Sequence, residues 1–328
     1  IKVNNTYRGP LLKTIEQIAE SFAPWNPGTE LTVGLFSSVV PEFDERAFRE
    51  ALVNAFGHRD YSVLGRVRVL VDDAGLTIAN PGGFVEGINV HNLLTAEPHG
   101  RNPCLMDALK RTGLAERTGR GIDRIFEGAL NYGRPLPDYS RSNGRGVSVL
   151  LPRSAPDEAF VELLAEERER SGKSMSLDGL LILDKLKRER RCGFDALSES
   201  LDMSDQRLRT VLGQLTESGL VESSGTNARR TYTLGAKVYR RSGKTVEYVR
   251  QSGIDRVRYP ELIMKLMREQ KSVSKNDVME LLHLDENQAY YQLRKLVGEG
   301  RAKKVGGGRN VRYEEMQRDD DGISGEQF

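Results

Sequence analysis

Cysteine is nearly absent: Cys104 and Cys192 are the only two in 328 residues. Their separation excludes both a disulfide framework and the C-x-x-C spacing of a zinc site, so both read as buried, reduced thiols. No apolar run approaches the roughly 18 residues of a membrane span, and no charged-then-apolar leader opens the chain. The expectation is a cytoplasmic protein with no membrane partner. The net charge of +2 is too small to argue for nucleic acid by itself, so any such case must come from local clusters. A phosphate loop is also missing. Gly172-Lys173-Ser174 and Gly243-Lys244-Thr245 resemble the end of one, but positions 167 and 238, where the leading glycine belongs, hold Glu167 and Val238. A motor ATPase or helicase does not follow.

What is present is a globular composition, 38% hydrophobic and 29% charged, in a chain long enough for two or three domains. Residue 1 is Ile rather than Met, which reads as a piece of something longer. The organising stretch is 44–61, DERAFREALVNAFGHRDY, with Glu50, Asn54 and His58 at four-residue steps. On a helix these three fall along one face, while Phe48, Leu52, Ala55 and Phe56 fall on a roughly opposite apolar one. Two readings stay open. One is an ordinary amphipathic helix with a solvated polar face; the other makes Glu50 a base and Asn54 a magnesium ligand in a nucleotide pocket.

Apolar positions at Leu11, Leu12, Ile15, Ile18, Ala19 and Phe22 predict a first helix, ended by Pro24 and Pro27. A strand is expected over 31–40, then the 44–61 helix with Asp44 as N-cap, ending near Gly57 and His58. Strands over 66–71 and 76–79 form a hairpin whose turn holds Asp72 and Asp73, and Asn80-Pro81-Gly82-Gly83 then stops the second strand. Asn102-Pro103 opens a helix running through Lys110. Gly119-Arg120-Gly121 stands at the mouth of another over 122–130, a place suited to an anion or to a simple hinge. A closing strand covers 146–151. Residues 154–170 read as a linker helix, with Ser154 and Asp157 at capping-box spacing.

The rest of the chain repeats itself. Leu181 superposes on Leu262, Leu201 on Leu282, Leu212 on Leu293, Gly219 on Gly300 and Tyr232 on Tyr313, always at one step (282 − 201 = 81) and without gaps. Each copy reads as three helices and a hairpin, the plan of a winged helix-turn-helix. Gln206, Arg207, Arg209 and Thr210 in the third helix of the first copy, with Arg229 and Arg230 in its wing, are candidate contacts to double-stranded DNA. In the second copy the corresponding candidates are Asn287, Tyr291, Arg294 and the wing residue Arg309. Its exposed tyrosines suit a protein interface equally well.

EALVNAFGHRDYS, ANPGG, RNPCLMDAL and ERTGRGIDRI, in that order, resemble the bacterial family of divergent-AAA transcriptional regulators with a GHKL (Bergerat)-like ATP-binding domain. The resemblance covers about residues 5–152. It implies ATP and Mg²⁺ as ligands, with Glu50 activating water and Asn54 binding the metal, while His58 either polarises or orients Glu50 as a further catalytic residue or merely finishes the helix. It also implies that Asn80, Gly82 and Gly83 wall the adenine site, that Arg101 and Asn102 belong to the nucleotide site, and that Gly119, Arg120 and Gly121 form a lid with Arg120 as counter-charge. The chain departs from the GHKL pattern at Asn80, where an aspartate is usual. Relatives often carry a Schlafen-type AlbA domain ahead of this region, which would then be missing here.

The expected fold is α+β, a GHKL-like α/β sandwich followed by two tandem winged helix-turn-helix domains. The expected domains are residues 1–153 (ATP-binding), 154–176 (linker helix), 177–245 and 246–316 (winged helices) and 317–328 (a disordered acidic tail). The expected function is an ATP-responsive, DNA-binding transcriptional regulator acting as a homodimer, with Mg-dependent ATP hydrolysis an open question. The alternatives are a scaffold that binds no nucleotide and docks proteins, and an ATPase of a nucleic-acid-processing or defence complex.

Overall fold

A computed structural model describes residues 3–33, 36–97, 99–115, 119–224, 230–241, 259–282, 284, 286–306 and 311–316. It is a mixed α+β structure whose sheets are small and antiparallel. The chain gathers into two compact units, one of Ile1–Lys185 and Asp195–Gln214, the other of Leu186–Phe194 and Leu215–Phe328. The expected loop Gly243-Lys244-Thr245, the wing arginines Arg229 and Arg309, and the tail 317–328 lie outside the described residues.

In the first unit, helix α1 (Leu11–Phe22) occupies its predicted span. Its buried side is narrower than the apolar pattern suggests, since Ile15 and Phe22 are buried while Leu12 is exposed. Phe22 stacks on Phe48 at 4.0 Å between ring centroids and lies tilted against Phe43. The single strand expected over 31–40 is instead a hairpin, β1 (Gly28–Val33) with β2 (Phe36–Pro41), paired from Gly28↔Pro41 to Val33↔Phe36. Leu31 and Val40, at the two ends of that run, are each buried in a strand of their own.

Helix α2 (Glu45–Gly57) is capped as expected: the Asp44 carboxylate accepts from the Arg46 and Ala47 amides at 2.9 Å. It ends at Gly57, so Tyr61 lies beyond it. Strands β3 (Arg68–Asp72), β4 (Gly75–Pro81) and β5 (Gly146–Pro152) form one sheet in the order β3-β4-β5. Asp72 accepts from Ala74 and Gly75 in the hairpin turn, away from the strand end that carries Asn80.

Strand β4 runs through Pro81, two residues past its expected end. The Pro81 carbonyl accepts from the Asp60 amide at 2.8 Å. The two polar groups of a strand residue point to the same side, so the missing proline N–H also points away from β5. There β3 has already ended at Arg68↔Ala79, and no ladder bond is lost. The sharp turn follows at Gly82, with φ +91°, where a Cβ would come within 2.6 Å of Asp60 Cβ.

Helix α3 (Pro103–Arg111) starts where Asn102-Pro103 places it, but Asn102 makes no side-chain cap. Cys104 on this helix is exposed rather than buried, and only Cys192 is buried. Leu109 is the buried residue of α3, and Cys104 lies outside the face that packs. Helix α4 (Gly121–Leu130) lies antiparallel against α2. A Cβ at Gly128 would meet Ala47 Cβ at 2.6 Å and Asp44 Cβ at 2.9 Å, while one at Gly121, two turns earlier, would overlap Glu50 Oε1. Helix α5 (Glu158–Ser171) begins later than expected because its cap is Asp157, which accepts from the Phe160 amide at 3.2 Å, and not Ser154.

The repeat is reproduced element by element. Helix α6 (Leu177–Glu189), strand β6 (Arg191–Gly193), helices α7 (Phe194–Leu201) and α8 (Asp205–Glu217), and strands β7 (Val221–Ser224) and β8 (Thr231–Leu234) make the first copy. After α9 (Ala236–Arg241), the second copy has α10 (Tyr259–Gln270), β9 (Val273–Ser274), α11 (Lys275–Leu282), α12 (Glu286–Gly298), β10 (Ala302–Val305) and β11 (Arg312–Glu315). From α7 onward every boundary recurs at the same step of 81 (275 − 194). The sheet orders β6-β8-β7 and β9-β11-β10 match, as do the pairs Cys192↔Tyr232 and Val273↔Tyr313. Even the left-handed residues repeat: Arg190 and Lys271 both have φ 65°, and Gly219 and Gly300 have φ 70° and 66°. A local backbone conformation that most side chains disfavour is thus kept at the same place in both copies.

Candidate functional site

The polar stripe of α2 does not face water. Glu50 is 4% exposed and, with Ala51, Asn54, Ala55 and His58, lines a cavity of about 310 Å³. The alanines between the polar residues keep that face shallow. Alternate positions of β4 and β5, namely Ile78 and Asn80, Val147 and Val149, supply a second wall. Tyr139, 8% exposed, completes it and stacks at 6.4 Å on Phe126 of α4. Helix α3 brings in Pro103, Met106, Asp107 and Lys110, and the entry to α4 brings in Gly119, Gly121 and Ile122. The loop from Gly83 to Gly100 closes the remaining side through residues such as Phe84, Leu93 and Ala96. This is a largely apolar chamber with a few convergent polar groups and a helix amino end.

Seven of the sequence-derived nucleotide-site residues line this cavity: Glu50, Asn54, His58, Asn80, Gly83, Gly119 and Gly121. The Glu50 carboxylate lies against the first residue of α4, so its charge and the positive end of that helix meet. His58 stands two turns from Glu50, about 12 Å along an ideal helix, and so is not placed to polarise it directly. Asn80 is buried, and its amide nitrogen donates to the Pro81 carbonyl at 3.1 Å. A carbonyl can only accept, which identifies the bonded atom as Nδ2 and makes Oδ1 the acceptor that Asn80 can offer a ligand.

Four others stand elsewhere. Asn102 Nδ2 donates to the carbonyls of Gly57 and Arg59, at 2.9 and 2.8 Å, and so closes the carboxyl end of α2. Arg101 bonds the Gly83 carbonyl at 2.8 Å and pairs with Asp60 at 3.4 Å. With Gly82, it lines a neighbouring cavity of about 630 Å³ that shares Gly83 and Phe84 with the first. Arg120 is exposed beside α4. Its charge acts on Asp123 and Glu127, two carboxyls of that helix whose pKa values are raised, chiefly by burial.

Sequence reasoning passed over Tyr139, Asp107 and Lys110. Tyr139 is held well above the usual phenol range by burial and by the Glu50 charge, and so keeps its proton. For α3 a signal existed, because positions 103, 106, 107 and 110 follow the i, i+3, i+4, i+7 spacing of one helix face.

His58 is pushed below its ordinary value of 6.5 by burial first and by the Arg101 charge second. The unfolded chain therefore takes up a proton near pH 6.5 that the folded chain refuses. The His58 contribution to stability is full above that pH and falls as the pH drops toward the folded pKa. Denaturant midpoints measured from about pH 7.5 down to about pH 5 are expected to fall more steeply for the wild type than for His58→Gln. The difference in slope is at most about 1.4 kcal/mol per pH unit, and superimposable curves would remove His58 as the source.

The helical repeat places its candidate contacts unevenly. Gln206, Thr210 and Arg230 are exposed, and Arg209 pairs with Asp205 at 3.5 Å. Arg207 is turned instead to Asp178, bonding both carboxylate oxygens at 2.5 and 2.6 Å. In the second copy Asn287, Tyr291 and Arg294 are exposed, with Tyr290 and Tyr291 49% and 64% so. Many of the cations around them are paired: Arg268 with Glu315, Lys275 with Glu286, Lys303 with Glu314 and Arg312 with Asp277. Among the described residues no group of three or more His, Cys, Asp or Glu side chains could hold a metal ion unaided. No helix of the described residues is long and apolar enough to cross a membrane.

Comparison with known proteins bears on the same region. Residues 65–151 match the family described as "Putative ATP-dependent DNA helicase recG C-terminal", which makes this stretch an ATPase-like domain. Among solved structures, the DIP2311 protein from Corynebacterium diphtheriae is similar over 94% of this chain, with 22% sequence identity and a TM-score of 0.59. The chain spans 54% of that protein's length, and at this identity the likeness is one of fold. The mRNA-binding domain of elongation factor SelB from E. coli, in complex with SECIS RNA, aligns over 44% of this chain and all of its own. Its sequence identity is 15% and its TM-score 0.17. No curated protein matches the sequence.

Proposed function

We propose that the chain is an ATP-responsive regulator in which a GHKL-like domain binds Mg-ATP and controls DNA binding by the first of two winged helix-turn-helix domains, within a homodimer. The observation that carries this reading is the cavity. It gathers Glu50, Asn54, Asn80 and the amino end of α4 around one chamber, and much of its lining lies inside the ATPase-like residues 65–151. Asn80 Oδ1 accepts from the amino group of an adenine, as the usual aspartate would, without the charge that strengthens such a bond. The amides at Gly121 face phosphate.

The donor set fits magnesium. An ion that keeps several waters needs few protein ligands besides the phosphates, and the Asn54 amide oxygen is suited to be one. When bound, it neutralises phosphate charge. Glu50 orients and deprotonates the attacking water, and the apolar walls keep bulk water out.

Support for nucleotide control comes from the loop that closes the cavity. Thr95, between the lining residues Leu93 and Ala96, bonds Asp202 at 2.5 Å in the turn between α7 and α8. Helix α4 reaches the same neighbourhood, since the charges of Arg207 and Asp178 act on its Asp123. The closing loop therefore bonds the first helix-turn-helix, and charges of that motif act on α4. In the second copy the paired cations and exposed tyrosines favour protein docking over DNA.

The test is titration calorimetry of the whole chain with Mg-ATP, followed by binding of a DNA duplex with and without nucleotide. Binding at submillimolar ATP is expected, with loss of about tenfold or more in Asn54→Ala and a nucleotide-dependent change in a salt-sensitive DNA affinity. No binding at millimolar ATP would sink the reading. Duplex affinity indifferent to nucleotide would remove the control.

A further inference from the structure

A triphosphate carries several negative charges into a chamber that already holds the carboxylates of Glu50 and Asp107. Magnesium offsets part of that charge, and a site of this kind calls for a protein cation as well. Arg120 was the expected one from sequence. It is exposed, stands outside the lining, and acts on Asp123 and Glu127 of its own helix.

Among the described residues that line the cavity, Lys110 is the one lysine or arginine. It belongs to the last turn of α3, where the negative end of the helix dipole favours a cation. Its position is built from two sides. Met106, one turn earlier, lies so close to Gly57 that any side chain there would overlap its sulfur, and Asn102 ties the start of α3 to the end of α2. Lys110 is half-buried, so its charge acts through less solvent than one on an open surface. A lysine is a compact charge on a flexible stem, able to follow phosphates as the chamber fills.

We propose that Lys110, and not Arg120, is the residue that meets the phosphates, so that α3 with its face of Met106, Asp107 and Lys110 is the phosphate-side wall of the site. This rests on the reading of the cavity as a nucleotide site. It makes the site selective for the number of phosphates: adenosine gains nothing from Lys110, ADP part, and ATP most.

The experiment titrates adenosine, ADP and Mg-ATP into the full-length wild type, Lys110→Gln, Lys110→Arg and Arg120→Gln. Lys110→Gln is expected to weaken ATP by about 10-fold or more, the usual loss of a charge-assisted contact, with adenosine affinity kept within about twofold. Lys110→Arg should recover part of the loss, and Arg120→Gln should bind ATP like the wild type. ATP binding unchanged in Lys110→Gln, or lost in Arg120→Gln instead, overturns the assignment while the nucleotide reading stands. Loss of adenosine together with ATP in Lys110→Gln overturns it too, since the residue would then be shaping the fold. A wild type that binds none of the three ligands overturns the nucleotide reading and this inference together.

Discussion

Glu50→Gln is expected to reduce ATP turnover by about 10²- to 10⁴-fold while leaving Mg-ATP affinity within severalfold. The two amino acids share shape and differ in whether they can take a proton. Glu50 is buried against the amino end of α4, where the phosphates would lie. Three other polar groups of the chamber are poor substitutes. Asn54 is an amide, Tyr139 holds its proton, and His58, though its lowered pKa leaves it neutral near pH 7, sits about two helical turns away. A single-turnover assay with labelled ATP, run beside calorimetry, separates chemistry from binding. Turnover sustained in Glu50→Gln would assign the base elsewhere. ATP binding lost together with turnover would show the carboxylate to be structural, holding α4 by its amino end.

The parts of this picture legible in sequence are those written in one segment. The stripe of Glu50, Asn54 and His58 on α2 and its Asp44 cap need only the 3.6-residue period and a local hydrogen bond. The duplication is legible because the second copy retains the spacing of the first without insertion, down to the left-handed Arg190 and Lys271. What the sequence did not show depended on partners far along the chain. Asn102 looks like a helix cap from its neighbours, yet the carbonyls it satisfies belong to Gly57 and Arg59. Pro81 looks like a strand terminator, but β4 tolerates it because β3 ends early. Arg207 looks like a DNA contact by helical position, and only the fold brings Asp178 to it. Lys110 was overlooked for a different reason. A glycine-flanked arginine at 119–121 fits a familiar lid, while the face 103-106-107-110 carries no motif beyond its period.

Gly128→Val is the substitution expected to damage fold and site together, because the approach of α4 to α2 depends on glycine. In an exposed helix interior the exchange of glycine for a larger residue is favourable. Gly213 of α8 has no atom within 4 Å of where its Cβ would stand, and Gly213→Ala should stabilise the chain by about 0.5–1 kcal/mol. Helix propensity pushes the same way at Gly128, but there a Cβ meets Ala47 Cβ at 2.6 Å and Asp44 Cβ at 2.9 Å. Both are atoms fixed to the α2 backbone, with no rotamer to yield. Overpacking of this kind costs about 1–3 kcal/mol, occasionally more, and exceeds the propensity gain. A net loss of about 2 kcal/mol is therefore expected for valine, with its two further methyls. The only relief is for α4 to move away from α2, which draws the Gly121 end off Glu50 and opens the phosphate side of the chamber. Urea denaturation should show the lowered midpoint, and calorimetry under folding conditions a loss of ATP affinity. Should Gly128→Val keep wild-type stability, the close α2–α4 contact is not present in solution, and the placement of Glu50 at the helix end falls with it.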